Sequence, residues 1–172
     1  MKKKIFHVLK WSFAILFVIG LLLPQDLMIP VQGANQRDWN SETFWYDPWG
    51  SSITHKGVDI FAQKGTPVIS GSHGIKLFKF SGSKGGNGVL ILGPKWRLHY
   101  YAHFQEYADD LGIFIPKGKI IGYVGTTGNA MGKPAHLHYS LATLIPYPWR
   151  IDGDRQGWMK MFILNPLDYL EK

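Results

Sequence analysis

His136-Leu137-His138 is the first place in the sequence where side chains are set out for chemistry. On a β-strand successive residues point to opposite faces, so the two imidazoles share one face and Leu137 takes the other. Two imidazoles side by side are costly if both are charged or left unpaired. Binding a cation through one and hydrogen-bonding the other relieves that cost, and alternation alone treats the two as equals. A second group is His55-Lys56-Gly57-Val58-Asp59. Gly57-Val58 and the following Asp-Ile-Phe read as a turn entering a strand, with glycine allowing the bend that brings His55 and Asp59 to a common point. The third is Leu98-His99-Tyr100-Tyr101-Ala102-His103, where alternation assigns His99, Tyr101 and His103 to one face. Within it, His99 reads as a buried, hydrogen-bonded side chain.

The sequence has no cysteine, which excludes thiol catalysis, thiolate zinc sites and disulfides together. Any metal must therefore be held by carboxylates and by the seven histidines. No His-Glu-x-x-His helix is present, so the usual glutamate base of helical zinc proteases is missing. Residues 125–134 have the glycines and lysine of a phosphate loop at the wrong spacing, with Pro134 where Ser or Thr is required. The glycine-rich run from Gly82 to Gly88 leads into Val-Leu-Ile-Leu, a strand rather than a phosphate-facing helix. Asp152-Gly153-Asp154 is too short for a calcium loop, and no Gly-x-Ser-x-Gly elbow occurs. The net charge of +7 comes without a dense Lys/Arg run, a zinc finger or an RNP-like signature, which argues against nucleic acid as a partner.

The elements that must position these residues are short strands separated by turns. They are predicted at Val58–Ala62, Pro67–Ser72, Gly74–Ser81, Gly88–Leu92, Arg97–His103, Ile120–Gly125 and His136–Thr143, with Gly93-Pro94-Lys95 as a hairpin turn. One or two helical turns are expected over Gln105–Leu111, and helical character over Asp154–Phe162. With 20 glycines and 10 prolines spread along the chain, the expected class is all-β, twisted antiparallel sheets forming a groove, with a short C-terminal helix. Ahead of this, three lysines precede an uncharged apolar run from Trp11 to Leu23, so residues 1–23 read as a membrane anchor or signal peptide that exports the remainder of the chain. An uncleaved transmembrane helix is favoured, placing the domain outside the cytoplasm (the periplasm or its equivalent); signal cleavage would instead leave it secreted. Residues 24–52 are expected to form a linker whose later, aromatic-rich half packs on a domain spanning 53–172.

The three histidine groups, in this order, resemble the lysostaphin-type (LytM-like) zinc metallopeptidases that cut peptidoglycan peptides. The matching text is His55-Lys-Gly-Val-Asp59, Tyr101-Ala-His103 and His136-Leu-His138. It is supported by Gly65-Thr-Pro-Val, Ile121-Gly122-Tyr-Val-Gly125 and Thr127-Gly128-Asn129, and Asn165-Pro166 resembles a common family ending. The resemblance covers about residues 53–145. It implies one Zn2+ held by His55, Asp59 and His138, with His103 and His136 flanking the metal as catalytic groups that handle the proton and the oxyanion. Two imidazoles and a carboxylate leave one tetrahedral position for water, whose pKa such a metal brings to about 7. The implied activity is hydrolysis of amides in peptidoglycan stem or cross-link peptides during wall remodelling. Peptidoglycan and the membrane are the expected partners, and wall-synthesis or division proteins are further candidates. The alternative is a non-catalytic regulator that activates other wall hydrolases; members of that kind lack ligands, whereas all five positions are filled here. Two departures stand out. His99 takes a place where a smaller polar residue such as Thr is expected, and would add a ligand or a hydrogen bond. The segment from Ile145 to Trp158 is longer than a minimal core, and would either wall the groove or pack the tail.

Overall fold

Residues 2–170 are described in this computed structural model, in which the alternating pattern from Val58 onward becomes nine strands. The ends of the predicted boundaries, Met1 and residues 171–172, lie outside the described residues. The strands are β1 (Val58–Phe61), β2 (Pro67–Ile69), β3 (Gly74–Gly82), β4 (Gly86–Gly93), β5 (Arg97–Tyr107), β6 (Phe114–Ile115), β7 (Ile120–Val124), β8 (His136–Thr143) and β9 (Ile163–Leu164). All pair antiparallel, in the order β1-β8-β5-β4-β3-β6, with β7 joining β2 to β5 and β9 lying on β8. The all-β class and the Gly93–Lys95 hairpin are both as expected. One face of the sheet is the core: Val58, Ile60, Val89, Ile91, Tyr101, Leu137, Tyr139 and Leu141 are buried, and Tyr101 faces Tyr139 across β5 and β8. Burying such side chains contributes about 1.5–3 kcal/mol each. The alternate residues of β1, β8 and β5 are thereby turned to a common groove.

Helix falls elsewhere than the sequence suggests. Residues 105–107 continue β5, because Glu106 and Tyr107 pair with Tyr123 and Gly122 of β7, and ladder pairing overrides a weak helical preference. Over 154–162 only a 3-10 turn forms at Gly157–Met161, closed by Met159 N–H to Gln156 O and Phe162 N–H to Met159 O. The short C-terminal α-helix comes later, at Leu167–Leu170, started by Pro166 and by Asn165 Oδ1 accepting from Leu167 N–H at 3.1 Å.

At the other end, α1 (Lys2–Leu22) contains a stretch, Lys4–Leu22, long and apolar enough to cross a membrane, and none of it is buried in the protein. It touches the sheet at the β4–β5 turn, where Phe17 stacks on Trp96 with centroids 5.8 Å apart and Trp96 Nε1–H donates to the Phe17 carbonyl. A Cβ on Gly20 would lie 2.5 Å from the Trp96 ring, so glycine is what admits the indole. Residues 28–32 then pair along β2, through Ile69 N–H to Pro30 O and Gln32 N–H to Pro67 O, with Val31 in the core.

Candidate metal centre

Antiparallel register sets the first pair of functional side chains beside each other: Asp59 of β1 faces His138 of β8, which on its other side faces Ala102 of β5. One row along, Phe61 faces His136. The small Ala102 leaves space over His138, and both histidines of β8 share the groove face, as alternation requires.

His55 precedes β1 and is fixed by the aromatic segment before it. Trp45 N–H donates to His55 O and His55 N–H to Tyr46 O, the Trp45 side chain is buried, and the Trp49 ring stacks on the imidazole with centroids 4.1 Å apart. Gly57 must lack a side chain: its Cβ would lie 2.6 Å from both Ser140 Oγ and Tyr139 O. The bend at Gly57 therefore brings the chain flat against β8 and turns His55 back toward Asp59.

The result is a triad of convergent atoms. His55 Nε2 lies 3.1 Å from Asp59 Oδ1 and 3.1 Å from His138 Nδ1, and His138 Nδ1 lies 2.7 Å from Asp59 Oδ1. The far side of each ring is occupied. His55 Nδ1 is 3.0 Å from Thr43 O; a carbonyl only accepts, so the proton sits on Nδ1 and Nε2 offers a lone pair. His138 Nε2 is 2.9 Å from Ser140 Oγ; when it donates there, Nδ1 is bare as well. Three electron-rich atoms then face one point, an arrangement that a divalent cation satisfies, and ring protons anchored behind the ligand atoms are the usual support of a metal-binding histidine. Burial alone would raise the Asp59 carboxyl, but its close contacts with the His138 and His55 rings outweigh it and hold the group well below the usual carboxylate range. His138 is pushed down, chiefly by burial, against the pull of Asp59. Both shifts keep the donor atoms free of protons at neutral pH.

His103 reaches the same groove by a different route. Through Ala102, β5 alternates: Tyr101 is in the core, Tyr100 and Ala102 face the groove. His103 itself has φ 68°, in the left-handed region, and the pairing of β5 with β4 slips around it, Tyr101 facing Val89 but Phe104 facing Asn87. The expectation that His103 shares a face with His99 and Tyr101 is thus corrected: this irregularity swings it onto the groove face. Such a conformation costs a non-glycine residue about 1–2 kcal/mol. It is held by His103 N–H to Gly85 O at 2.9 Å and by Nδ1–H to Thr127 O at 2.8 Å, which leaves Nε2 bare. His136 is anchored similarly, Nδ1–H donating to Pro134 O at 2.7 Å, with Nε2 3.9 Å from Asp59 Oδ2. The His103 and His136 rings are 5.0 Å apart. Burial, and then the charge of His138, push His103 down to about 4, so it is a neutral imidazole at pH 7.

All five residues singled out in the sequence thus line one groove of about 610 Å³. His99 does not: it is fully buried behind the sheet, its Nδ1 2.8 Å from Tyr139 Oη, and burial followed by the Arg97 charge lowers it to about 3. It is a hydrogen-bonded core residue rather than a ligand. Of the long segment 145–158, neither Trp149 (79% exposed) nor Trp158 (59% exposed) walls the groove or packs the tail; Gln156 reaches the groove instead, accepting from Thr54 Oγ1 and Lys56 Nζ. The supports Thr43, Trp49, Thr127 and Ser140 were not identified from sequence. The signals present were the density of aromatics before His55 and, for Thr127, its place in the family-like phrase Thr127-Gly128-Asn129.

Comparison with known proteins agrees with this geometry. The family model for peptidase family M23 matches residues 53–147, more than half of the chain. The chain belongs to peptidase family M23. Within the family it is 39% identical over 87 residues to the DD-carboxypeptidase/endopeptidase Mpg of Neisseria meningitidis serogroup B, a match spanning 49% of this chain and 19% of that protein. It is 35% identical over 101 residues to lysostaphin of Staphylococcus simulans, spanning 56% of this chain and 20% of lysostaphin. The chain therefore matches only about a fifth of the length of these curated relatives. The catalytic domain of lysostaphin from S. simulans superposes with a TM-score of 0.60 at 24% identity, covering 76% of this chain and 90% of that domain, a likeness of fold.

Proposed function

We propose that this chain is a zinc-dependent endopeptidase that hydrolyses amide bonds in peptidoglycan stem or cross-link peptides, held by its N-terminal helix on the extracytoplasmic side of the membrane. The observation that carries the proposal is the division of the five groove residues. Three ligand atoms, from His55, Asp59 and His138, converge within 3.1 Å of one another, while His103 and His136 stand beside them with bare Nε2 atoms. In this reading His55 Nε2, Asp59 Oδ1 and His138 Nδ1 hold the zinc, which when bound polarises an amide carbonyl and acidifies water.

The chain's own residues supply the remaining work. Thr127 O and Pro134 O fix one tautomer each for His103 and His136, so both present a base to the groove and, once protonated, a donor. One of the two, while neutral, takes a proton from the attacking water and returns it to the leaving amine. The pair as a whole supplies the hydrogen bonds that a developing oxyanion needs. The groove is open, as a polymeric substrate requires. An apolar helix at its N-terminus suits a wall substrate, which lies outside the membrane.

The test is zinc content of the purified full-length chain, followed by mass spectrometry of muropeptides after digestion of isolated sacculi. One zinc per chain and newly released peptide ends are expected. Stoichiometric zinc with no cleavage of any wall preparation would overturn the enzyme in favour of a regulator, and cleavage of glycine-rich protein with sacculi untouched would overturn the wall substrate.

A further inference from the structure

Three lysines line the groove, and no free carboxylate answers them. Among the described residues that line it, Asp59 is the only acid, and it is engaged by His55 and His138. Elsewhere in the domain three lysines find acids, Lys117 with Asp26, Lys119 with Asp110, and Lys160 with Asp152 and Asp154, while Lys76 and Lys95 bond to backbone carbonyls and Lys79 lies over the Tyr107 ring. In the groove, Lys56, Lys84 and Lys133 have no ion pair among the described residues. Unpaired cations clustered around a concave site raise the local concentration of anions and orient them.

The three differ in what they can still offer. Lys56 spends all its donors on neutral oxygens, Ser52 O at 3.0 Å, Thr54 O at 3.3 Å and Gln156 Oε1 at 2.6 Å, so it contributes fixed charge and no further hydrogen bond. Lys84, exposed on the β3–β4 turn, makes one long bond, to Ser51 O at 3.3 Å, and keeps two donors. Lys133, on the loop before β8, makes no side-chain hydrogen bond to a described residue and keeps all three. The backbone under Lys84 is not free to drift. Its carbonyl accepts from Asn129 N–H at 2.9 Å, the next carbonyl, Gly85 O, accepts from His103 N–H at 2.9 Å, and Asn87 N–H donates to Thr127 Oγ1 at 2.9 Å. The backbone that carries Lys84 is thus tied, through a few bonds, to His103.

We infer that the groove contains a carboxylate subsite in which Lys84, assisted by Lys133 and by the fixed charge of Lys56, holds an acidic group of the peptide beside the bond to be cut. The inference rests on the peptidase reading above and narrows its substrate to anionic peptides, as against uncharged chains such as oligoglycine.

Two synthetic wall-type peptides test it, identical except that the residue next to the scissile amide carries a free carboxylate in one and its carboxamide in the other. Binding to the full-length chain in detergent is read by fluorescence anisotropy after zinc has been stripped, and cleavage is read separately with zinc restored. Loss of one charge-assisted hydrogen bond corresponds to about tenfold or more in affinity. Wild-type is therefore expected to prefer the carboxylate peptide by about that factor, K84M to lose the preference, and K84R to regain part of it. The preference should also shrink as salt is raised. Equal binding of the two peptides by wild-type, or an undiminished preference in K84M, overturns the subsite. The two readings part cleanly. Cleavage of both peptides at equal rates would sink the subsite and leave the peptidase. A carboxylate preference in binding, with no cleavage of either peptide when zinc is restored, would sink the peptidase and leave the subsite.

Discussion

Strands β8 and β5 lie side by side under the groove and reach it in opposite ways. β8 is regular: His136 and His138 face the groove, Ser140 lies on the same face behind His138, and Leu137, Tyr139 and Leu141 enter the core, each in unbroken register with β5 or β1. β5 is regular only as far as Ala102, and at His103 a left-handed residue and a register slip against β4 turn one more side chain into the site. The ligand atoms rest on the stiff ladder of β1 and β8 together with a clamped turn. His103 rests on hydrogen bonds from two loops, through Gly85 O and Thr127 O. The convergent triad and His103 are therefore built on parts of the molecule with different tolerance to change.

The largest effect that would sharpen this contrast is chemical. His136→Ala should lower kcat by about 10²–10⁴-fold, the range for a general acid–base group, with one zinc retained by elemental analysis. Loss of zinc in that variant would place His136 among the ligands. Next, Ser140→Ala removes the hydroxyl behind His138 Nε2. Zinc affinity, measured by competition with a chromophoric chelator, should fall about 10–100-fold with the fold intact. An unchanged affinity would mean that the regular strand needs no such support.

A third effect lies on the core face of β5. The buried His99 imidazole has a pKa near 3 against an ordinary value of 6.5, because burial, then Arg97, disfavours its charged form. Below pH 6.5 the unfolded chain takes up a proton that the folded chain refuses. The stability is therefore full above that pH and is lost as pH falls toward 3. His99→Gln should make the denaturation profile between pH 6 and 4 shallower by up to about 1.4 kcal/mol per pH unit. Parallel profiles for the two proteins would contradict it.

The smallest effect separates the two strands most sharply. Glycine costs about 0.5–1 kcal/mol relative to alanine in a regular strand but is favoured where φ is positive. His136→Gly should be less stable than His136→Ala by about that much, and at position 103 the order should reverse, His103→Gly being the more stable. The same order at both positions in urea denaturation would remove the strained residue from the account.

The same contrast explains what could be seen in the sequence. Alternation placed His136 and His138 on one face because β8 obeys it, and the Gly57 bend was visible because glycine marks it. The face of His103 was misjudged because nothing local announces a left-handed histidine; it is imposed by loops 20 or so residues away in the chain. His99, a strand neighbour with the same chemistry, is separated from the site by lying on the core face of β5, bonded to Tyr139 rather than lining the groove. The two-residue strands β6 and β9 were too short to show a period. The helical turns over 105–111 were lost to pairing with β7, a long-range contact. That Trp49 and Thr43 hold His55 could not be read before the segment was folded, although its aromatic content marked it as part of the domain.

The central claim is that three of the five groove residues hold the metal and two do not. Anomalous scattering at the zinc edge, from crystals of the full-length chain grown with zinc, tests it directly. A single peak is expected about 2.0–2.2 Å from His55 Nε2, Asp59 Oδ1 and His138 Nδ1, with His103 and His136 beyond bonding distance. A peak bonded to His103 or His136, or none at the triad, would contradict it.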